Sequence, residues 1–174
     1  MKKDNKNGFT LVETLVAIAI LLLAVAAPLS LATKSLNSSA LSKQQITASF
    51  LAQEAMEFIR NVRDENVLKD GNWLSNHISK CYGSDGCTVD PTDSGTTKIK
   101  ACNGSCPLLR YNELTGVYNH SSLSGTADSI YTRTIKIIEI DSNKEIAVKV
   151  TVSWKGTNGV DYKVIARENL TNWQ

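Results

Sequence analysis

Two groups of side chains in this 174-residue chain have the type and spacing for chemistry. The first is a lone carboxylate, Glu13, five residues after Gly8 and at the edge of a long apolar run. A charge costs about 2.5–3.5 kcal/mol at the centre of a membrane helix and less near the interface, so a chain that keeps one gives it a partner. The second group is Cys81, Cys87, Cys102 and Cys106, an even count inside a window of 26 residues. On the oxidising side of a membrane an even count favours disulfides. Zinc is the rival, but the spacings are Cys-x5-Cys and Cys-x3-Cys rather than the usual Cys-x2-Cys; free thiols are the third outcome. Of the three connectivities, the local pairs Cys81–Cys87 and Cys102–Cys106 are preferred, although spacing alone leaves all three open.

Enzyme chemistry finds little support. His77 and His120 stand apart, with no His-Glu-x-x-His cluster and no glycine-rich phosphate loop. The serines near His120 lack a Gly-x-Ser-x-Gly elbow. Asp85, Asp90 and Asp93 offer oxygens that suit calcium, but beside Ser, Thr and Gly they read as a solvated turn. We therefore expect no catalytic residues, no metal and no cofactor. Four Asn-x-Ser/Thr sites, at Asn37, Asn103, Asn119 and Asn169, carry no argument here.

The elements that must position Glu13 begin with the apolar run. Leu15 to Ala32 is Leu, Val, Ile and Ala with one Pro28 and one Ser30, and it holds no charge. At helical rise those residues cover roughly 27 Å, close to the hydrocarbon core of a bilayer. Lys2, Lys3 and Lys6 against one Asp4 make the first residues basic, which holds them on the cytoplasmic side.

This string resembles the prepilin family: type IV pilins, minor pilins and the pseudopilins of type II secretion. The matching residues are the basic leader ending in Gly8, then Phe9-Thr10-Leu11-Val12-Glu13, then the apolar helix. The resemblance implies that a prepilin peptidase cuts between Gly8 and Phe9 and N-methylates Phe9. Phe9 would then carry a cationic amine that a neighbouring subunit's Glu13 meets in a low-dielectric setting, so that Glu13 sets filament register. Two plainer readings compete. One is a secretory signal peptide cut near Ala24-Val25-Ala26, but the run exceeds the usual 7–15 apolar residues. The other is a simple signal anchor in which Glu13 is incidental.

Composition gives no argument for a charged binder. The chain has 19 basic and 17 acidic residues, and residues 1–8 hold three of the lysines and one aspartate, which leaves 16 against 16. The excess charge belongs to the leader, and it makes no case for an overall nucleic-acid binder.

Helical periodicity continues past the span through Leu36, Ala40, Thr47, Leu51, Ala55, Phe58 or Ile59, and Val62. The spacing predicts one helix from Phe9 to about Arg63, ~80 Å at helical rise, with Pro28 as a kink. From Asp64 to about Ala127, Gly, Ser, Asp, Asn and Thr dominate, which predicts turns and short strands pinned by the cysteines. Three strands follow over 130–140, 145–154 and 161–170, with an Asn-Gly hairpin signal at Asn158-Gly159. Ile146, Val148, Val150, Val152 and Trp154 share one face by period two.

The expected fold is α+β, a long N-terminal helix on a small antiparallel sheet. Its parts are a leader 1–8, a membrane or filament-core helix 9–33, an amphipathic continuation 34–64, and a pilin-like head 65–174 with a loop region 65–128 and a sheet 129–174. By the resemblance, the partners are prepilin peptidase, other pilin or pseudopilin subunits, the cytoplasmic membrane and an inner-membrane assembly platform. The chain would cross that membrane once with its N-terminus cytoplasmic, then enter an extracytoplasmic filament or surface. DNA is a further partner class, resting only on Lys98, Lys100 and Arg110 with Tyr111 and Tyr118 nearby. The rival is a membrane-anchored ligand- or DNA-binding module that does not polymerise.

Overall fold

The computed structural model describes residues 8–70, 72–74, 76–93, 98–122 and 124–172. Two compact units divide the chain, Met1–Lys43 and Gln44–Gln174. One helix, α1, Leu11–Asp70, supplies the first unit and opens the second. It is longer than the sequence predicts, ending at Asp70 rather than near Arg63. The polar run after Arg63 reads as a change of composition, yet its members sustain the helix. Glu65 and Lys69 pair at i,i+4, and Asn66 is buried, donating to the Trp73 carbonyl.

In the second unit, α1 buries Ala48, Leu51, Ala52, Ala55, Met56 and Ile59, a stripe at three- and four-residue steps. Ile59, not Phe58, is the fully buried member of that alternative. The expected stripe also included Leu36 and Ala40, and both are exposed.

After a 3-10 helix, Asn76–Cys81, come seven strands among the described residues, all paired antiparallel. They are β1 Cys87–Val89, β2 Ile99–Ala101, β3 Leu108–Asn112, β4 Val117–Asn119, β5 Thr126–Asp141, β6 Glu145–Lys155 and β7 Asp161–Thr171. β5 is the hub: β6 pairs along one edge, while β3 and β1 share the other. So the region expected to hold turns and short strands contributes four strands, and the sheet begins before residue 129.

The apolar face of β6 is the one its alternation predicts. Ile146, Val148, Val150, Val152 and Trp154 are all buried. On β5 the buried set is Tyr131, Arg133, Ile135 and Ile137. The β6–β7 turn closes with Gly159 donating to the Gly156 carbonyl and Gly156 to the Val160 carbonyl. Gly159 sits at φ +77°, where a side chain would be strained.

One glycine is fixed by close approach. Gly86 has φ +74°, and a Cβ there would lie 2.4 Å from the Ile135 carbonyl oxygen. That contact lets β1 join β5 at Cys87.

Candidate functional site

The N-terminal segment is built from its cap outward. Thr10 precedes the first helical residue, and its Oγ1 accepts the Glu13 peptide N–H at 3.3 Å. Thr10-Leu11-Val12-Glu13 thus has the Ser/Thr-x-x-Glu spacing of a capping box, a signal that the reading of this string overlooked. Glu13 stands in the first turn, where the free N–H groups of the helix favour a negative charge. Among the described residues its carboxylate has no ion-pair partner. Gly8 has open space around its Cα, and Phe9 is 74% exposed. A peptide bond there is accessible, and breaking it leaves Thr10 in place as the cap.

Behind the cap, α1 is an apolar rod without cover. Its most hydrophobic 18-residue window has mean hydropathy 2.7, and none of it is buried. Helical assignment continues through Pro28. Lacking an N–H, Pro28 leaves the Ala24 carbonyl without its i+4 donor. Close by, Ser30 Oγ donates to the Ala27 carbonyl at 2.9 Å and Thr33 Oγ1 to the Ser30 carbonyl at 2.9 Å. Such side-chain back-bonding weakens and bends helices. The softest part of the rod is therefore centred on Pro28.

Comparison with known proteins turns on this segment. Residues 3–27 match the prokaryotic N-terminal methylation motif. The chain carries the type IV prepilin signature. No curated protein and no solved structure matches it. The match covers the N-terminal segment alone, and it supports processing and assembly of the type IV pilin kind through that region. The first seven residues, with the leader lysines, lie outside the described ones.

In the second unit the four cysteines form two disulfides, Cys81–Cys87 and Cys102–Cys106. Cys81 and Cys87 are fully buried, and Cys106 Sγ lies 3.7 Å from the Cys87 carbonyl oxygen. The two staples therefore sit side by side: Cys81–Cys87 ties the 3-10 helix to β1, and Cys102–Cys106 closes the short loop after β2.

Two of the three aspartates, Asp85 and Asp90, hold the backbone. Asp85 accepts the Gly104 N–H at 2.8 Å. Asp90, 4% exposed, accepts from Thr92 N–H and Oγ1 with one oxygen and from the His120 N–H with the other. No group of three metal-ligating side chains forms among the described residues.

His77 lies in the 3-10 helix. His120 is half-buried, with Nε2 2.9 Å from Thr88 Oγ1. Thr88 is 1% exposed, so that hydroxyl does not face solvent. Burial pushes the His120 pKa down, and the Arg133 guanidinium pushes it further.

Of the loop cations, Arg110 pairs with Asp128 at 3.3 Å and donates to the Thr126 carbonyl. Tyr111 and Tyr118 pack on each other with ring centroids 5.0 Å apart. These residues are committed to the fold.

Arg133 was missed. It is fully buried on the helix-facing side of β5, where it joins three elements. Nη1 donates to the Leu51 carbonyl at 3.1 Å and to Glu54 Oε2 at 2.5 Å, both on α1, and Nη2 to the Val89 carbonyl at 2.7 Å on β1. Burial lowers its pKa, and Glu54 opposes that shift. A second clamp joins Arg60 of α1 to Glu168 of β7 through both carboxylate oxygens.

Proposed function

We propose that this chain is a structural subunit, a minor pilin or pseudopilin, of a type IV pilus-like filament, and that it is not an enzyme. It is inserted as a single-span precursor with its basic end cytoplasmic, cut between Gly8 and Phe9 by prepilin peptidase, and N-methylated on Phe9. The apolar half of α1 then leaves lipid for the same half of neighbouring subunits, and the head stands outside the membrane.

The single observation that carries this reading is the methylation motif at residues 3–27 leading into an uncovered apolar helix. Once Gly8 is gone, a new amine lies four residues from a carboxylate with no ion-pair partner among the described residues. In a filament core each charge alone would be costly, so the amine of one subunit seeks the Glu13 of the next. The pair acts mainly on register, because its Coulomb gain is offset by desolvation. Pro28 supplies the place where the rod yields as it changes surroundings.

Two substitutions test the steps separately. Gly8→Leu blocks processing, seen on a gel as a chain that keeps its precursor mobility. Glu13→Ala leaves insertion and processing intact but removes the subunit from sheared filaments. Normal incorporation of Glu13→Ala would contradict the register role.

A further inference from the structure

Five strands of the second unit each contribute one ring to an aromatic row: Tyr111 of β3, Tyr118 of β4, Tyr131 of β5, Trp154 of β6 and Tyr162 of β7. Neighbouring ring centroids lie 5.0, 5.8, 6.0 and 5.6 Å apart along it. The middle of the row is core. Tyr131 and Trp154 are buried and both donate to Gln44 of α1, Tyr131 to its carbonyl and Trp154 to its side-chain oxygen. At the β7 end, the Tyr162 hydroxyl accepts from the Asn158 amide.

The other end differs. Tyr111 and Tyr118 stand directly opposite each other on β3 and β4, so both rings leave the same face of the hairpin. The rings are tilted by 49°, the kind of twist that two directly bonded phenol rings adopt. Tyr111 is 37% exposed and Tyr118 is half-buried. Neither phenol has a hydrogen-bond partner among the described residues. A buried tyrosine hydroxyl usually finds one, as that of Tyr131 does. Phenylalanine would pack as well at both positions, so packing does not account for the two hydroxyls. The turn between the strands holds the pair in place. Asn112 Oδ1 accepts the Leu114 and Thr115 N–H groups, and the Asn112 carbonyl accepts the Gly116 N–H at 2.8 Å.

We propose that Tyr111 and Tyr118 are a site of oxidative modification, at which they couple to an intramolecular dityrosine. The oxidant is hydrogen peroxide turned over by a haem peroxidase. Two one-electron steps each take an electron and the phenolic proton from one ring. The two phenoxyl radicals join through ring carbons beside their oxygens, and the hydrogens on those carbons pass to the oxygens and restore both phenols. One peroxide takes up the two electrons and two protons and leaves as two waters, so the chain loses two hydrogens and gains no atom. Tyr118 and Tyr131 do not compete, because their rings stand edge to face at 80° and the Tyr131 hydroxyl is tied to Gln44. The new bond closes the β3–β4 hairpin, which neither disulfide reaches, since all four cysteines precede Leu108. It requires no filament.

The test treats the full chain, dilute in neutral detergent, with hydrogen peroxide and a haem peroxidase. The expected product is dityrosine fluorescence in the single-chain band of a denaturing gel, with a mass lower by two hydrogens. A glutamate-specific protease cuts after Glu113 and parts Tyr111 from Tyr118 in the untreated chain; in the oxidised chain the two fragments stay joined. The linked chain melts above the untreated one, because the bond restricts the unfolded state. Tyr111→Phe and Tyr118→Phe each keep the ring packing and the melting temperature and lose the link. Tyr82→Phe, at a tyrosine equally exposed but outside the row, keeps it.

Three results would overturn the proposal. They are no dityrosine in the parent where free tyrosine couples under the same conditions, a link found only between chains, or a link that survives in Tyr111→Phe. N-terminal processing is read separately by mass, so failure here leaves the filament reading standing.

Discussion

α1 has one secondary structure and two surroundings. From Leu11 to Leu31 its leucines, valines and isoleucines are all exposed, and none touches a core of the chain's own making. From Ala48 to Ile59 its apolar side chains are buried against the sheet. The first half is hydrophobic all round, which suits lipid or a bundle of like helices. The second is hydrophobic on one stripe and charged elsewhere, which suits a half-covered helix in a small domain. The contrast teaches that fold stability and assembly are carried by different residues on the same rod. A change in one half can be read without disturbing the other.

The sharpest way to break that contrast is a matched pair of truncations. Ile59→Ala empties a fully buried site and costs the head about 2–5 kcal/mol, seen as a lower melting temperature in detergent. Leu21→Ala, on an exposed site of the apolar half, changes head melting by less than about 0.5 kcal/mol. Comparable losses would mean that the two halves are not independent.

Arg133 sharpens the comparison within the head. Arg133→Ala leaves a cavity and three broken donor contacts and costs about 3 kcal/mol. Arg133→Met fills the same volume without a buried charge, and Glu54, being partly exposed, returns to water. It therefore costs far less, because a buried ion pair gives little net stability over well-packed apolar atoms. Denaturant titration of both variants checks the order. An equal loss would show that the guanidinium's hydrogen bonds, not its bulk, hold α1 to β1.

The smallest effect is a dependence on pH that belongs to the head alone. The folded-state pKa of His120 is depressed, first by burial and then by Arg133 and Lys100, while Asp90 and the Leu108 carbonyl oppose the shift. Unfolded, the ring takes a proton near pH 6.5. The unfolded chain therefore binds more protons below that value, and head stability falls as pH drops from about 7 to 5. His120→Gln flattens that part of the melting-temperature profile; a wild-type head equally stable across the range would contradict it.

How much was legible depended on whether a pattern had one reading. β6 alternates between apolar and small or polar residues, so its buried face was visible. β5 carries isoleucines on both faces, at Ile135 and Ile137 and again at Ile138 and Ile140, so period two could not assign a side. That ambiguity hid Arg133 in the core. β1 and β2 are three residues each, too short for any periodicity, and they are defined by the disulfides and the Gly86 approach. At the N-terminus every informative residue lies within a few positions of the next. The motif was therefore readable, apart from the cap that Thr10 provides.

The central claim is that a cut after Gly8 converts a basic-tipped membrane precursor into a filament subunit. Mass spectrometry of the chain's native N-terminus, in cells that make prepilin peptidase, tests it most directly. The account predicts a chain beginning at N-methylated Phe9; a chain beginning at Met1 or at Ala27 would contradict it.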